Sequence, residues 1–197
     1  MKLVIGLVGP PGAGKETFTN SIESLLRADG FSATRHRFSD PLRETLSAWG
    51  IPHGRENEQK LARIMKEPAA FRDGALSRAI KHRLMRDEAH VGILDGVRWL
   101  SDEKMLYAFP EEGVKSIMVH VTAPAKDRYR WLKDRNRAGA AETTWESFLE
   151  QEKAENEIYI PEIGGRAAVK LVNSGSVDEF LKKIEVVYRE SIRPLLG

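Results

Sequence analysis

Hydrophobic and polar positions along the chain fall into two alternating regimes. Short apolar runs, such as Leu3–Val8, have the unbroken character of strands buried on both faces. Between them, apolar residues recur every three or four positions, as amphipathic helices require. The first run, at residues 3–8, is followed by a helix over about 14–29, where Phe18, Ile22, Leu25 and Leu26 share a face and Gly30 is the stop signal. A second strand is predicted over 33–38. Ser39-Asp40-Pro41 ends it and starts a helix carrying Leu42, Leu46 and Trp49 that closes at Gly50. Residues 51–89 are charged and mostly helical, with Leu61, Ile64 and Met65 in one stretch and a further helical run over 75–85. A short strand over 91–94 closes on Asp95, a helix covers 101–109, and an apolar strand covers 116–121. Pro124 opens a basic helix to about Asn136, and Arg137-Ala-Gly-Ala-Ala141 reads as a moving loop. Thr143-Thr-Trp-Glu146 and Ser176-Val-Asp-Glu179 both have capping-box spacing, and a last strand lies over 168–173 between them. Strands alternating with helices predict an α/β fold with a parallel sheet covered on both faces.

Composition narrows the class. At 197 residues and 41% hydrophobic, the chain is expected to form one domain over 1–197 with a sizeable core. Lys and Arg number 31 against 29 Asp and Glu, so no global field draws the protein to nucleic acid, and nucleic-acid binding is not expected. The chain has no cysteine, which excludes disulfides, thiolate metal sites and a cysteine nucleophile. Its apolar runs are too short for a membrane span and the N-terminus does not read as a signal peptide, so the expectation is a cytoplasmic protein with no membrane partner. The five histidines show no metal-ligand spacing, and the four tryptophans read as core or hinge packing.

The strongest chemical signal follows the first strand directly: Gly9-Pro-Pro-Gly12-Ala13-Gly14-Lys15-Glu16-Thr17. Glycines let backbone N–H groups curl around a polyphosphate, lysine reaches its outer phosphates, and a helix N-terminus faces the anion. A plain strand-to-helix turn would need no lysine. A Ser or Thr that ligates Mg²⁺ usually follows the lysine; here Glu16 takes that place and the hydroxyl arrives at Thr17. ATP and Mg²⁺ are the implied cofactors.

In such sheets, phosphate sites lie at the carboxyl ends of strands. Asp95 stands at one of them, placed either to hold Mg²⁺ or to end a strand in a turn. Arg98 points where a second phosphate would lie, or pairs with Asp102 or Glu103. Asp40 follows the second strand and reads as a binder of a sugar hydroxyl or metal, an orienter of the attacking group, or a helix N-cap. Lys126, Arg128, Arg130, Lys133, Arg135 and Arg137 crowd one basic segment. Of these, Arg135 and Arg137 lie where the helix meets the loose loop, so either can close over a transferring phosphoryl group. Arg43, Arg55, Gln59, Arg63 and Arg72 are acceptor-site candidates. Asn173-Ser-Gly-Ser176 is either a turn that packs against a purine or a plain connection with a serine cap.

These motifs resemble the nucleoside monophosphate kinase group of phosphate-loop proteins. The Gly-Pro-Pro-Gly-Ala-Gly-Lys-x-Thr string looks like the adenylate kinase loop, and Asp95-Gly-Val-Arg98 is similar to that family's Asp-Gly-Phe-Pro-Arg, one residue shorter. Lys15-Glu-Thr17, Phe38-Ser-Asp-Pro-Leu-Arg43 and Val172-Asn-Ser-Gly-Ser-Val-Asp-Glu-Phe180 are more similar to phage-type deoxynucleoside monophosphate kinases and dephospho-CoA-kinase-like proteins. The stretch from Asp95 through Arg137 to Phe148 also resembles an archaeal group of kinase-like proteins. The resemblance implies a P-loop NTPase of three α/β/α layers, with a five-stranded parallel sheet in the order 2-3-1-4-5. It implies a core over 1–50 and 90–197, a helical acceptor-binding insert over about 51–89 and a lid over about 135–142. The implied activity is transfer of the γ-phosphoryl of ATP to a nucleotide monophosphate. Lys15 and the amides of Gly9, Gly12, Ala13 and Gly14 would hold ATP, and Thr17 would contact phosphate. Asp95 would hold Mg²⁺ with Glu16 as an outer partner, Arg98 would hold the acceptor phosphate, and Arg135 or Arg137 would clamp. Two alternatives stay open: a kinase directed at a hydroxyl, with Asp40 as base, and a nucleotide switch or ATPase with no small acceptor. A homodimer is compatible with the sequence.

Overall fold

The computed structural model describes residues 1–66, 74–134, 143–155 and 157–197. Five parallel strands, β1 (Leu3–Val8), β2 (Ala33–Arg37), β3 (Val91–Val97), β4 (Lys115–Thr122) and β5 (Val169–Val172), form one sheet in the order β2-β3-β1-β4-β5. This is the predicted order. β1 lies at the centre with β3 and β4 on its two sides, so all six of its residues are buried. That explains why it reads as an unbroken apolar run.

One face of the sheet packs on α1 (Lys15–Ala28) and on a later helix, Val177–Val187. Leu3, Ile5, Leu7, Ile93 and Val119 meet Phe18, Ile22, Leu26, Phe180 and Ile184 there. Phe18 is wholly buried; truncating it to alanine should cost about 3–5 kcal/mol of stability. On the other face, Val4, Val8, Leu94 and Met118 pack against Ile80, Leu84, Leu106 and Ile163 from helices described below. The result is three layers, α/β/α, with the carboxyl ends of the strands at one edge.

Between β2 and β3 lie α2 (Asp40–Ala48), α3 (Arg55–Lys66) and α4 (Ala75–Met85). They share a small cluster of Leu42, Leu46 and Leu61. Then follow α5 (Leu100–Ala108), a 3₁₀ turn at Phe109–Glu112, α6 (Ala125–Asp134), α7 (Trp145–Glu152), α8 (Ile160–Arg166) and α9 (Val177–Val187). Among the described residues, no helix is long and apolar enough to cross a membrane.

Four local readings change. β3 does not stop before Asp95 but runs on to Val97. Leu7 pairs with Asp95 and Val8 with Val97, so Gly96 is an extra residue, a bulge with φ +93°. Bulges of this kind re-aim neighbouring side chains next to functional sites. The helix after Thr143 is capped by Thr144, whose hydroxyl accepts from Ser147 N at 3.1 Å. α8 was not predicted, because Ile-Pro-Glu-Ile-Gly-Gly-Arg has poor helix propensity. Packing overrides it: a Cβ on Gly164 would lie 2.4 Å from the His120 ring, so only glycine lets α8 approach β4. Trp49, read as core or hinge, is 62% exposed. The Ser176–Glu179 capping box forms as predicted, with Ser176 N donating to Glu179 Oε2 at 2.7 Å and Glu179 N to Ser176 Oγ at 3.2 Å.

Candidate active site at the carboxyl ends of β1 and β3

The loop from Gly9 to Gly14 joins buried β1 to α1. Gly14, at the helix N-cap, is left-handed (φ +102°) and supplies no side-chain cap. A helix start with no side-chain cap suits the binding of an anion. Thr17 is half-buried in that first turn, and exposed Glu16 precedes it. Thr19, which the sequence reading passed over, is fully buried and its hydroxyl donates to Lys15 O at 3.0 Å.

Lys15 folds back over the loop, its ammonium donating to Gly9 O at 2.7 Å and Pro10 O at 3.0 Å. Its pKa is lowered from 10.5 to about 8. Burial is the main cause; Arg98 and Arg128 push the same way, while Asp95 and Glu157 oppose. Five charged groups from four parts of the chain thus converge on the loop.

Asp95 is held by β2. Its Oδ2 forms an ion pair with Arg35 Nη2 and lies 3.8 Å from Arg37 Nε. Both arginines escaped the sequence reading, which saw only a strand. Their alternate spacing was the available signal: it puts 35 and 37 on the face of β2 that Asp95 shares, and Arg37 pairs in register with Asp95.

Arg98 pairs through Nη1 with Glu157 Oε1 at 2.9 Å, and the Glu157 side chain is only 4% exposed. The alternative of a bridge from Arg98 to Asp102 or Glu103 is corrected by this pairing. Asp102 instead accepts the backbone N–H groups of Arg98 (3.1 Å) and Trp99 (3.0 Å), closing the start of α5. Glu103 pairs with Arg166. Glu157 precedes α8, an element absent from the sequence reading, which is why it was missed.

Asp40 does not cap α2; Ser39 holds the N-cap position and Asp40 is the first helical residue. Its Oδ2 accepts from Arg37 N at 2.8 Å, fixing the carboxylate at the end of β2. Arg43 Nε donates to Glu58 Oε1 at 2.9 Å. Gln59 is half-buried on α3. Exposed Arg63 lies 3.8 Å from Glu155. Arg72, Arg135, Arg137 and the proposed lid lie outside the described residues, as does the side chain of Arg55.

Asn173 does not stand as a simple surface turn. Its N donates to Thr122 O at 2.7 Å, and its side-chain Nδ2 donates to Ala13 O in the phosphate loop at 3.1 Å. Arg128, read as one of a basic crowd, is only 6% exposed. It donates from Nε to Ala123 O (2.9 Å) and from Nη1 to Pro11 O (3.4 Å), and it pairs with Glu152.

Among the described residues, no group of three or more His, Asp or Glu side chains is arranged to hold a metal on its own. One carboxylate at Asp95 and a hydroxyl at Thr17 suit a Mg²⁺ that arrives on a polyphosphate and keeps most of its waters.

Comparison with known proteins bears on the fold. No family model matches the chain. The chain is 29% identical over 194 residues to a UPF0200 protein of Thermococcus gammatolerans, covering 98% of this chain and 97% of that one. It is 28% identical over 189 residues to a UPF0200 protein of Pyrococcus abyssi, covering 95% and 96%. Among solved structures, the APS kinase of Mycobacterium tuberculosis in complex with AMPPNP and APS superposes with a TM-score of 0.55 at 16% identity over 96% of this chain and 98% of that one. Shikimate kinase from Bacteroides thetaiotaomicron gives a TM-score of 0.59 at 14% identity over 95% and 97%. The enzyme from Acinetobacter baumannii, in complex with shikimate, gives 0.52 at 16% over 98% and 96%. The fold is that of the P-loop kinases.

Proposed function

We propose that this protein is an ATP-dependent phosphotransferase that moves the γ-phosphoryl of Mg²⁺-bound ATP to the phosphate of a nucleoside or deoxynucleoside monophosphate. The observation that carries this reading is the placement of Lys15 and Arg98. Both act on one another's charge alongside Asp95 and Glu157, so two cations held against two carboxylates converge beside the phosphate loop. Two cations gathered at one loop suit a site that takes the anions of a donor and of an acceptor together.

Lys15 and the amides of Gly12 and Gly14 bind the donor; Thr17 contacts its phosphate. Mg²⁺, when bound, would neutralise charge on the transferring group, and Asp95, oriented by Arg35 and Arg37, would help hold it. Arg98, fixed by Glu157, binds the acceptor phosphate. Arg135 or Arg137 clamps the transferring group, and residues 51–89 form the acceptor-binding insert. Little acid–base work is needed, because the attacking group is already an anionic oxygen.

A second reading, transfer to a hydroxyl, is favoured by one finding: the structural neighbours are named for APS and shikimate. In that case Asp40, fixed at the end of β2, would serve as base. Asp40→Asn separates the two, since asparagine can still accept from Arg37 N. Near-total loss of turnover with acceptor binding retained supports the hydroxyl reading. Assaying ADP release with ATP and Mg²⁺ against ribo- and deoxynucleoside monophosphates and dephospho-CoA should give turnover with at least one monophosphate. Background rates throughout the panel would overturn the monophosphate reading, and background rates joined by hydrolysis that a protein partner stimulates would favour a switch.

A further inference from the structure

A phosphate loop works through its amides, and an amide donates more strongly when the carbonyl of the same peptide unit is itself hydrogen-bonded. In this loop, Lys15 takes the carbonyls of Gly9 and Pro10, each followed by a proline with no N–H to strengthen. Ala13 N donates back to Pro10 O at 3.3 Å. Two further carbonyls, held by side chains from outside the loop, are different. Pro11 O, at 3.4 Å from Arg128 Nη1, belongs to the peptide that carries Gly12 N–H. Ala13 O, at 3.1 Å from Asn173 Nδ2, belongs to the peptide that carries Gly14 N–H.

We infer that Arg128 and Asn173 are positioning residues for polyphosphate binding, acting from outside the loop on the Gly12 and Gly14 amides. This rests on the functional reading above. It reassigns Asn173 from the purine to the phosphate end of the donor.

The supports are built in. Arg128 is fixed by Ala123 O, by Glu152 and by the Phe148 ring, 5.4 Å from its guanidinium carbon. Asn173 is fixed by Thr122 O, which extends the β4–β5 pairing by one bond. A guanidinium also places positive charge behind the loop, on the side away from the anion, where it adds to the field of the amides. Lys15, by contrast, makes contacts it exchanges for phosphate, and these two residues hold the loop's shape while it does so.

Calorimetric binding of inorganic tripolyphosphate and of ATP, each with Mg²⁺, tests the assignment. Asn173→Ala should weaken both ligands by the same factor, about five- to tenfold, as expected for one lost hydrogen bond to a preorganised group. If the variant weakens ATP but leaves tripolyphosphate unchanged, Asn173 reads the base and the assignment fails. For Arg128, the paired variant Arg128→Met with Glu152→Gln removes both charges together, so no buried ion is stranded. Its far-ultraviolet spectrum should match the unaltered protein while tripolyphosphate affinity falls by a similar factor; unchanged affinity overturns the assignment for Arg128. Failure of the unaltered protein to bind tripolyphosphate would overturn both this assignment and the functional reading, whereas equal binding by the variants overturns this assignment alone.

Discussion

The two sides of the site are held in different ways. On the phosphate-loop side, Arg128 and Asn173 bond to the loop's own carbonyls, and Arg98 is anchored on an almost fully buried carboxylate. On the α2–α4 side, charged groups meet one another near the surface. Arg43 with Glu58 and Arg83 with Glu44 link side chain to side chain over a cluster of, among the described residues, three buried leucines. Backbone-directed, buried bonds fix one geometry; exposed ion pairs contribute little and exchange readily for other anions. The phosphate-loop side is therefore preorganised, and the α2–α4 side carries arginines whose present partners can be replaced.

The contrast can be broken most forcefully at Lys15. Lys15→Met should abolish detectable nucleotide binding, a loss of about 100-fold or more, because the outer phosphates lose their charged partner. It should also raise the melting temperature of the ligand-free protein, because a cation that burial disfavours is gone. Calorimetric titration and thermal melts check the two halves. A variant that binds normally would contradict the assignment of the loop.

Next in size is Arg98. Arg98→Met alone removes the arginine partner of the buried Glu157 carboxylate and should destabilise by up to about 3–5 kcal/mol in denaturant titration. Adding Glu157→Gln should restore most of that loss. The double variant should keep donor affinity and raise the acceptor KM by about tenfold or more. If donor affinity falls instead, Arg98 belongs to the donor side.

A smaller effect comes from pH. Lys15 titrates near 8 in the ligand-free protein and near 10.5 when unfolded. The unfolded chain holds the extra proton between those values, so stability rises with pH through that window; below 8 both states are protonated and the cost of burying the charge is complete. Nucleotide needs the charged form. Binding should take up a proton above pH 8, seen as a dependence of calorimetric heat on buffer, with affinity falling about tenfold per pH unit. The smallest effect is at Arg43. Arg43→Ala should change stability by less than about 1 kcal/mol, since the side chain is 42% exposed, and should act on acceptor KM without touching donor affinity.

The phosphate-loop side was legible in the sequence because its motif is local. Strand, glycine loop, lysine and helix are consecutive from Leu3 to Ala28, and each follows from spacing within one turn or strand. The sheet order was legible through resemblance. What stayed hidden were partners far apart in the chain. Arg35 finds Asp95 across 60 positions and Asn173 finds Ala13 across 160, so no local period announces them. α8 was hidden for a different reason: Gly164-Gly165 looks like a loop until the His120 ring beneath Gly164 explains why that position is a glycine. The acceptor candidates Arg43 and Gln59 were legible as residues, but what each faces depends on how α2 and α3 pack, which their own periodicity does not specify.

The central claim is that the preorganised loop delivers the γ-phosphoryl group to a second phosphate. Phosphorus nuclear magnetic resonance of the protein with ATP, Mg²⁺ and a turned-over monophosphate tests it most directly. The expected spectrum shows ATP signals giving way to ADP and to a new diphosphate on the acceptor, with no build-up of inorganic phosphate. ADP accompanied only by inorganic phosphate would contradict the claim.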